Sequence, residues 1–243
     1  MKCTFTDTIF RTMNLILGSK RPPCPDPENY VWVTTKEGSF WRRKRGTKKA
    51  ATLNAQYKKS NEHMKISGPA ASNLVRILRP YLQGIAPGRL TARLSGKLRK
   101  ALNETGAMNY RHLAEFDVQP DHPIGKLLLC PWLLSLNGNK LALKIPIDTA
   151  TLQQHNKLVT DYYFELILLQ GNAANPASLD TYSVCSKLYP IGSSESSPCQ
   201  LTIKVPANNW IAFLKVSCME GKELAAAPRN YGMRVVGVGE NTL

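Results

Sequence analysis

The apolar side chains of this chain change their spacing near His112. Ahead of it they recur at helical intervals, as at Leu90, Leu94, Leu98 and Leu102. Behind it they alternate in short runs separated by turn residues. A repeat near 3.6 marks a helix with one buried stripe, and a repeat of 2 marks a strand with one buried face. The expected fold class is therefore α+β: a basic hairpin-plus-helical N-terminal region followed by an antiparallel, immunoglobulin-like β-sandwich. The expected segments are 1–29 as an N-terminal stretch and Pro-rich linker, 30–112 as the basic hairpin and helical region, and 113–243 as the sandwich. The roughly 130 residues after His112 suffice for a core of their own.

Turn chemistry supports the strands. Asn137 and Gly138 supply the positive φ that a tight hairpin demands, so 133–136 and 140–147 are expected as its two arms. Further strands are expected over 162–169, 182–189, 201–205, 210–217 and 234–237, with one more near 116–118. Short strands separated by polar and Gly/Pro turns suit an antiparallel sandwich. The Cys-Trp-Cys signature of antibody domains is missing, because Cys130 and Trp132 lie too close together.

In the first half, Pro22, Pro23, Pro25 and Pro27 make an extended linker. The β-prone runs 30–35 and 39–45 flank Gly38 and predict a hairpin, which is marginal alone and needs a partner. Residues 50–66 read as a helix without a wide apolar face. Gly68 and Pro69 are expected to break it from a second helix over 69–79, where Leu74, Val75, Ile77, Leu78 and Tyr81 share one arc. A third helix is expected over 89–104, stopped by Gly106. It carries Leu90, Leu94, Leu98, Ala101 and Leu102 on one side. Arg89, Arg93, Lys97 and Lys100 form the adjacent stripe.

The net charge is +15, and all of the excess precedes His112: 22 basic against 6 acidic residues before and including it, 10 against 11 after. Cations that neutralise phosphates release condensed counterions and bind without reading sequence. The candidate nucleic-acid-binding residues are Arg42, Arg43, Lys44, Arg45, Lys48 and Lys49, with Arg89, Arg93, Lys97 and Lys100. Tyr30, Trp32, Phe40, Trp41 and Tyr57 stand among the cations, and rings beside cations suit single strands. Two plainer alternatives stay open: Trp32 and Trp41 packing under the hairpin, and the helical stripe as a merely solvated face. The 42–49 cluster also suits acidic protein or an anionic membrane surface, though without the long amphipathic helix of a membrane binder.

Six cysteines (Cys3, Cys24, Cys130, Cys185, Cys199, Cys218) include no C-x-x-C, and the four histidines are scattered. No metal and no cofactor is expected. Cys185 and Cys199 could face each other as a disulfide; reduced thiols in a cytoplasm are the simpler expectation. No run of about 18 apolar residues offers a membrane span. No signal peptide is expected at the N-terminus, where Met13 is an alternative start to Met1. No phosphate loop or nucleophile elbow occurs. A carboxylate–histidine group (Glu115, Asp117, Asp121, His122) lies between prolines, where turn and solvation roles are usual. An enzyme is not expected, and no catalytic residue is assigned.

The run from Gly38 to Gly46, the 89–103 helix and the strand-rich half from Leu127 together resemble bacterial proteins with a Lys/Arg-rich amino-terminal arm and an immunoglobulin-like sandwich. That resemblance implies architecture and carries no activity with it. The expected function is non-enzymatic nucleic-acid binding, to DNA or RNA, through the basic half. The sandwich would then serve a protein partner or a second copy. The alternative is a structural or assembly protein of a virion or mobile-element particle.

Overall fold

The computed structural model describes residues 22–44, 55–205 and 209–239. The chain divides between Asn54 and Ala55 into two compact units. In the first, Tyr30–Thr35 (β1) pairs antiparallel with Gly38–Arg43 (β2), setting Trp32 opposite Trp41 and Tyr30 opposite Arg43. The two indoles meet edge to face, 5.1 Å between centroids, and Trp41 Nε1 donates to the Pro22 carbonyl at 2.9 Å. The Pro-rich lead-in is thereby tied to the hairpin. Asp26 closes the turn before β1, accepting from Asn29 Nδ2 and the Glu28 amide. Those hydrogen bonds, the Asn29 side chain's first, hold its carboxyl below the ordinary range.

The second unit begins with two helices. Ala55–Leu78 (α1) passes through Gly68 and Pro69 without a break, which corrects the expected division there. Pro69 removes one helical hydrogen bond and sets its ring against the preceding turn. Burial of Ser67, Ala70, Ala71, Leu74 and Leu78 on either side of it outweighs that loss. The small side chains among them let α1 lie close to Leu90–Thr105 (α2). Ser67 Oγ is 3.2 Å from Ser95 Oγ, and His63 Nδ1 is 2.6 Å from Asn103 Oδ1. Those pairings run in opposite directions along the two helices, so the helices are antiparallel. Gly106 ends α2 at φ 72°, its amide donating to the Leu102 carbonyl at 3.0 Å. An L side chain rarely adopts that backbone conformation.

The strands that follow form two sheets, and all named strand pairs are antiparallel. The smaller sheet contains Leu133–Asn137 (β3), Lys140–Ile145 (β4) and Cys199–Lys204 (β8), ordered β3-β4-β8. The larger is centred on Asp161–Gln170 (β5) and Trp210–Glu220 (β9), paired over their full length. Asp180–Cys185 (β6) and Tyr189–Pro190 (β7) line the far edge of β5; Glu223–Leu224 (β10) and Tyr231–Gly239 (β11) line the far edge of β9. The single strand expected over 182–189 is thus two. Between them Ser186 Oγ accepts from the Phe164 amide and donates to the Lys187 carbonyl. Residues 116–118 add a short bridge outside β11, through the Val118 amide to Met233 and the Val235 amide to Phe116.

Strands β5 and β9 are buried along nearly their whole length, on both faces. Strands covered on both sides read as continuous apolar runs, as Phe164 to Leu169 and Trp210 to Leu214 do apart from Glu165. Leu74 and Leu78 of α1 and Leu90, Leu94 and Leu98 of α2 belong to the same buried cluster as these strands. Three polar side chains join the helices and their connections to the sheets. Asn73 Nδ2 donates to the Ala173 carbonyl at 3.1 Å. Tyr110 donates to Gly171 and accepts from the Ala173 amide. Gln119, fully buried, accepts from the Ala86 amide and donates to the Pro228 carbonyl. Gly84 sits so close to the Tyr231 ring that a Cβ there would lie 2.2 Å from it. The helices therefore fold with the sheets, although the charge changes at His112.

Candidate nucleic-acid interface

The α2 stripe is the best-defined part of the candidate surface. The helix buries Leu90, Leu94, Leu98, Ala101 and Leu102, which fixes the direction of the adjacent stripe. Arg89, Lys97 and Lys100 are exposed there. Arg93 is not free. Its guanidinium donates to the carbonyls of Pro87 and Val118, at 3.3 and 3.1 Å, and to that of Asp117. It also lies 4.6 Å from the centre of the Phe116 ring. Burial lowers its pKa, opposed by Asp117 and Asp121. Arg93 therefore joins α2 to the segment that bridges β11, with its fork aimed inward. Lys100 reaches Glu104 at 3.9 Å, and Glu104 is held in turn by His112 Nε2 at 2.5 Å. An exposed i,i+4 pair of this kind is worth only about 0.3–0.5 kcal/mol, so Lys100 can exchange Glu104 for a phosphate at little cost.

Helix α1 adds to the same layer. Lys58, Lys65 and Arg76 are exposed and fall on one side of it, opposite the buried Ala70, Ala71 and Leu74. Lys59 and Arg79 are exposed as well. Residues 55–105 hold ten basic side chains and two acidic ones, Glu62 and Glu104. The α1 cations have no clear signature in the sequence, because Gly68 and Pro69 interrupt the helical repeat that places them on one side.

In the hairpin unit, Arg42 and Arg43 are exposed on opposite faces of β2, and Lys44 donates its ammonium to the Pro27 carbonyl at 3.0 Å. Trp32 and Trp41 are half-buried against each other, while Phe40 and Val31 are exposed on the other face. Arg45, Lys48 and Lys49 lie outside the described residues.

Of the carboxylate–histidine group, Glu115 and Asp117 are taken up in structural contacts, and Asp121 and His122 line a cleft. Asp117 Oδ1 accepts from the Ile124 amide at 3.1 Å, and Arg234 lies 3.4 Å from Glu115 and 4.0 Å from Asp117. A cleft of about 280 Å³ gathers His122, His155, Lys126 and Arg229 beside Asp121. Among the described residues no three His, Cys, Asp or Glu side chains converge as metal ligands. Cys24, Cys130, Cys185, Cys199 and Cys218 are free thiols, with Cys185 exposed and Cys199 buried. No described helix is long and apolar enough to cross a membrane.

No family model matches this chain, and no curated protein matches it. A solved structure described as "CC2D1B coordinates ESRCT-III activity during the mitotic reformation of the nuclear envelope" is similar over 76% of this chain and 71% of its own. The identity is 6% and the TM-score 0.24, a likeness too slight to carry an argument.

Proposed function

We propose that this chain is a non-enzymatic nucleic-acid-binding protein that contacts phosphates through the solvent face of its helical layer. The observation that carries this is the charge of residues 55–105, where Arg89, Lys97, Lys100, Lys58, Lys65 and Arg76 are exposed and carboxylates are scarce. Arg42, Arg43 and Lys44 of the hairpin, with Arg45, Lys48 and Lys49, belong to the same proposal. Arg93 is left out of the contact set because its donors are already engaged. The two antiparallel sheets support an immunoglobulin-like description of the 113–243 region, offered to a protein partner or a second copy. Buried thiols used as small apolar side chains, such as Cys130 and Cys218, suit a reducing cytoplasm.

The test is a titration of labelled DNA and RNA with the full chain over a series of salt concentrations. Each phosphate contact contributes about −0.9 to the slope of log K against log salt on duplex DNA. The variant R89A/K97A/K100A should flatten that slope by up to about 2.7. A wild-type protein whose binding ignores salt, or that binds neither polymer near physiological salt, ends the proposal. A second reading, as an assembly protein of a virion or mobile-element particle, is favoured by one feature. Among the described residues, β1 and β2 form a sheet of only two strands, open to completion by another copy. A stable ring or polymer in solution without nucleic acid, by mass measurement, supports that alternative.

A further inference from the structure

The sheet β3-β4-β8 has two unlike faces. In β8, Cys199, Leu201 and Ile203 are buried while Gln200, Thr202 and Lys204 are exposed. In β4, Leu141, Leu143 and Ile145 point inward, and Lys140 and Lys144 are exposed on the other side. The register sets Lys140 directly opposite Lys204, Ala142 opposite Thr202 and Lys144 opposite Gln200. On the neighbouring strand, Leu133, exposed to solvent, stands beside Lys144, Ser135 beside Ala142 and Asn137 beside Lys140. The outward face thus carries three lysines. None of β3, β4 or β8 contains an acidic residue.

Like charges directly opposed across a strand pair destabilise it. Among the described residues no carboxylate forms an ion pair with these three lysines. The acids nearest in sequence are engaged elsewhere: Asp148 Oδ1 accepts from the Ala150 amide, and Glu195 pairs with Lys187 at 2.7 Å. Lys140 and Lys144 stand about 13 Å apart along the strand at its usual rise. Between them lies Ala142, small and buried, and none of the three strands places an aromatic ring on this face on which a base could stack. Ser135, Asn137, Gln200 and Thr202 are the side-chain types that hydrogen-bond phosphate oxygens beside Lys.

We infer that the outward face of β3-β4-β8 is a second contact surface for nucleic acid, taking the sugar–phosphate backbone of a duplex. The inference rests on the nucleic-acid reading above but uses none of its residues. It places binding charge in the half of the chain whose net charge is near zero, because the acids there are carried by other elements.

The experiment measures the full chain against a labelled duplex of about 30 base pairs over a salt series, by fluorescence anisotropy. Three proteins are compared: wild type, K140A/K144A/K204A and R89A/K97A/K100A. The sheet variant should lose up to about 2.7 from the salt slope, which weakens binding near 100 mM salt by up to about 500-fold. Its melting temperature should not fall, since opposed charges have been removed. The single variant K204E should melt higher than wild type, through a new pairing with Lys140, and yet bind more weakly. A wild-type slope in the sheet variant, with binding lost in the helix variant, overturns this inference and leaves the proposed function standing. A wild type that binds neither duplex nor single strand removes both. Lysine-dependent sedimentation with phosphatidylserine vesicles, with duplex binding unchanged in the sheet variant, also overturns it and assigns the face to a lipid surface.

Discussion

Arg93 and Lys97 begin from the same helical stripe and end in different surroundings. Lys97 stays in solvent, whereas Arg93 forks into the Pro87, Asp117 and Val118 carbonyls and lies over Phe116. The physical difference is reach: position 93 on α2 is level with the chain that bridges β11, and a planar fork with several donors satisfies several carbonyls at once. Arg93→Ala should therefore cost about 2 kcal/mol in urea denaturation, a range typical of hydrogen bonds to a charged group. Its salt slope on DNA should match wild type. A stable R93A protein with a flattened slope would return Arg93 to the contact surface. Helical spacing alone does not separate the two residues, because it shows which side a residue occupies and not which carbonyls wait there. Tyr110 and Gln119 are harder still to see in advance. Each is a lone polar residue whose partners stand from 33 to 109 positions away.

Among the elements, α2 and the β3–β4 hairpin were legible because their determinants are local. The i, i+4 leucines, the left-handed Gly106 and the hairpin turn act within a few residues of one another. The turn itself is Gly138-Asn139, with the positive φ at Gly138 and Asn137 ending β3 opposite Lys140. Helix α1 was not, since its continuity through Pro69 comes from burial against α2 rather than from propensity. The central pair β5–β9 raises a different question. Its strands are apolar on both faces, so a slip of two residues would keep apolar side chains against apolar neighbours. Glu165 and Lys215 stand opposite each other in that register, their charged atoms 4.0 Å apart and their side chains only 12% and 5% exposed. Burial lowers the Lys215 pKa and Glu165 counters it. Removing one partner strands the other, so Glu165→Leu should cost about 3–5 kcal/mol by urea denaturation, while E165L/K215M should be near neutral. The double variant should also show a second set of β5 amide resonances, from the slipped register. A cost below about 1 kcal/mol for the single change would mean that the pair does not hold the register.

For the molecule as a whole, buried phenols and thiols set an alkaline limit. Burial pushes the Tyr110, Tyr162 and Tyr231 hydroxyls up to about 12, and the Cys130 and Cys218 thiols to about 11 and about 12. Ordinary values are 10.0 for the phenol and 9.0 for the thiol. Above those values the unfolded chain gives up protons that the folded chain retains, so stability falls as pH rises. The contribution is complete below pH 9 and is lost progressively up to about 12. Lys215 and Arg93, lowered by burial, work in the opposite direction below their usual 10.5 and 12.5, two groups against the five named. The melting temperature should hold steady to about pH 8.5 and then decline steadily. A curve that stays flat to pH 11 would mean these groups are wetter than their burial indicates.

What the sequence determined alone is whatever depends on neighbours a few positions apart: the helical and alternating periods, the tight turn at Gly138, the apolar and basic sides of α2, and the placement of most charge before His112. Tertiary structure decided the rest. It drew the basic helices into the same core as the sheets, consumed Arg93 and left Lys97 in solvent. It also collected Lys140, Lys144 and Lys204 from two strands onto one face. The reason is that periodicity describes which side of an element is apolar, whereas a side chain's electrostatic fate depends on which distant backbone comes to rest against it.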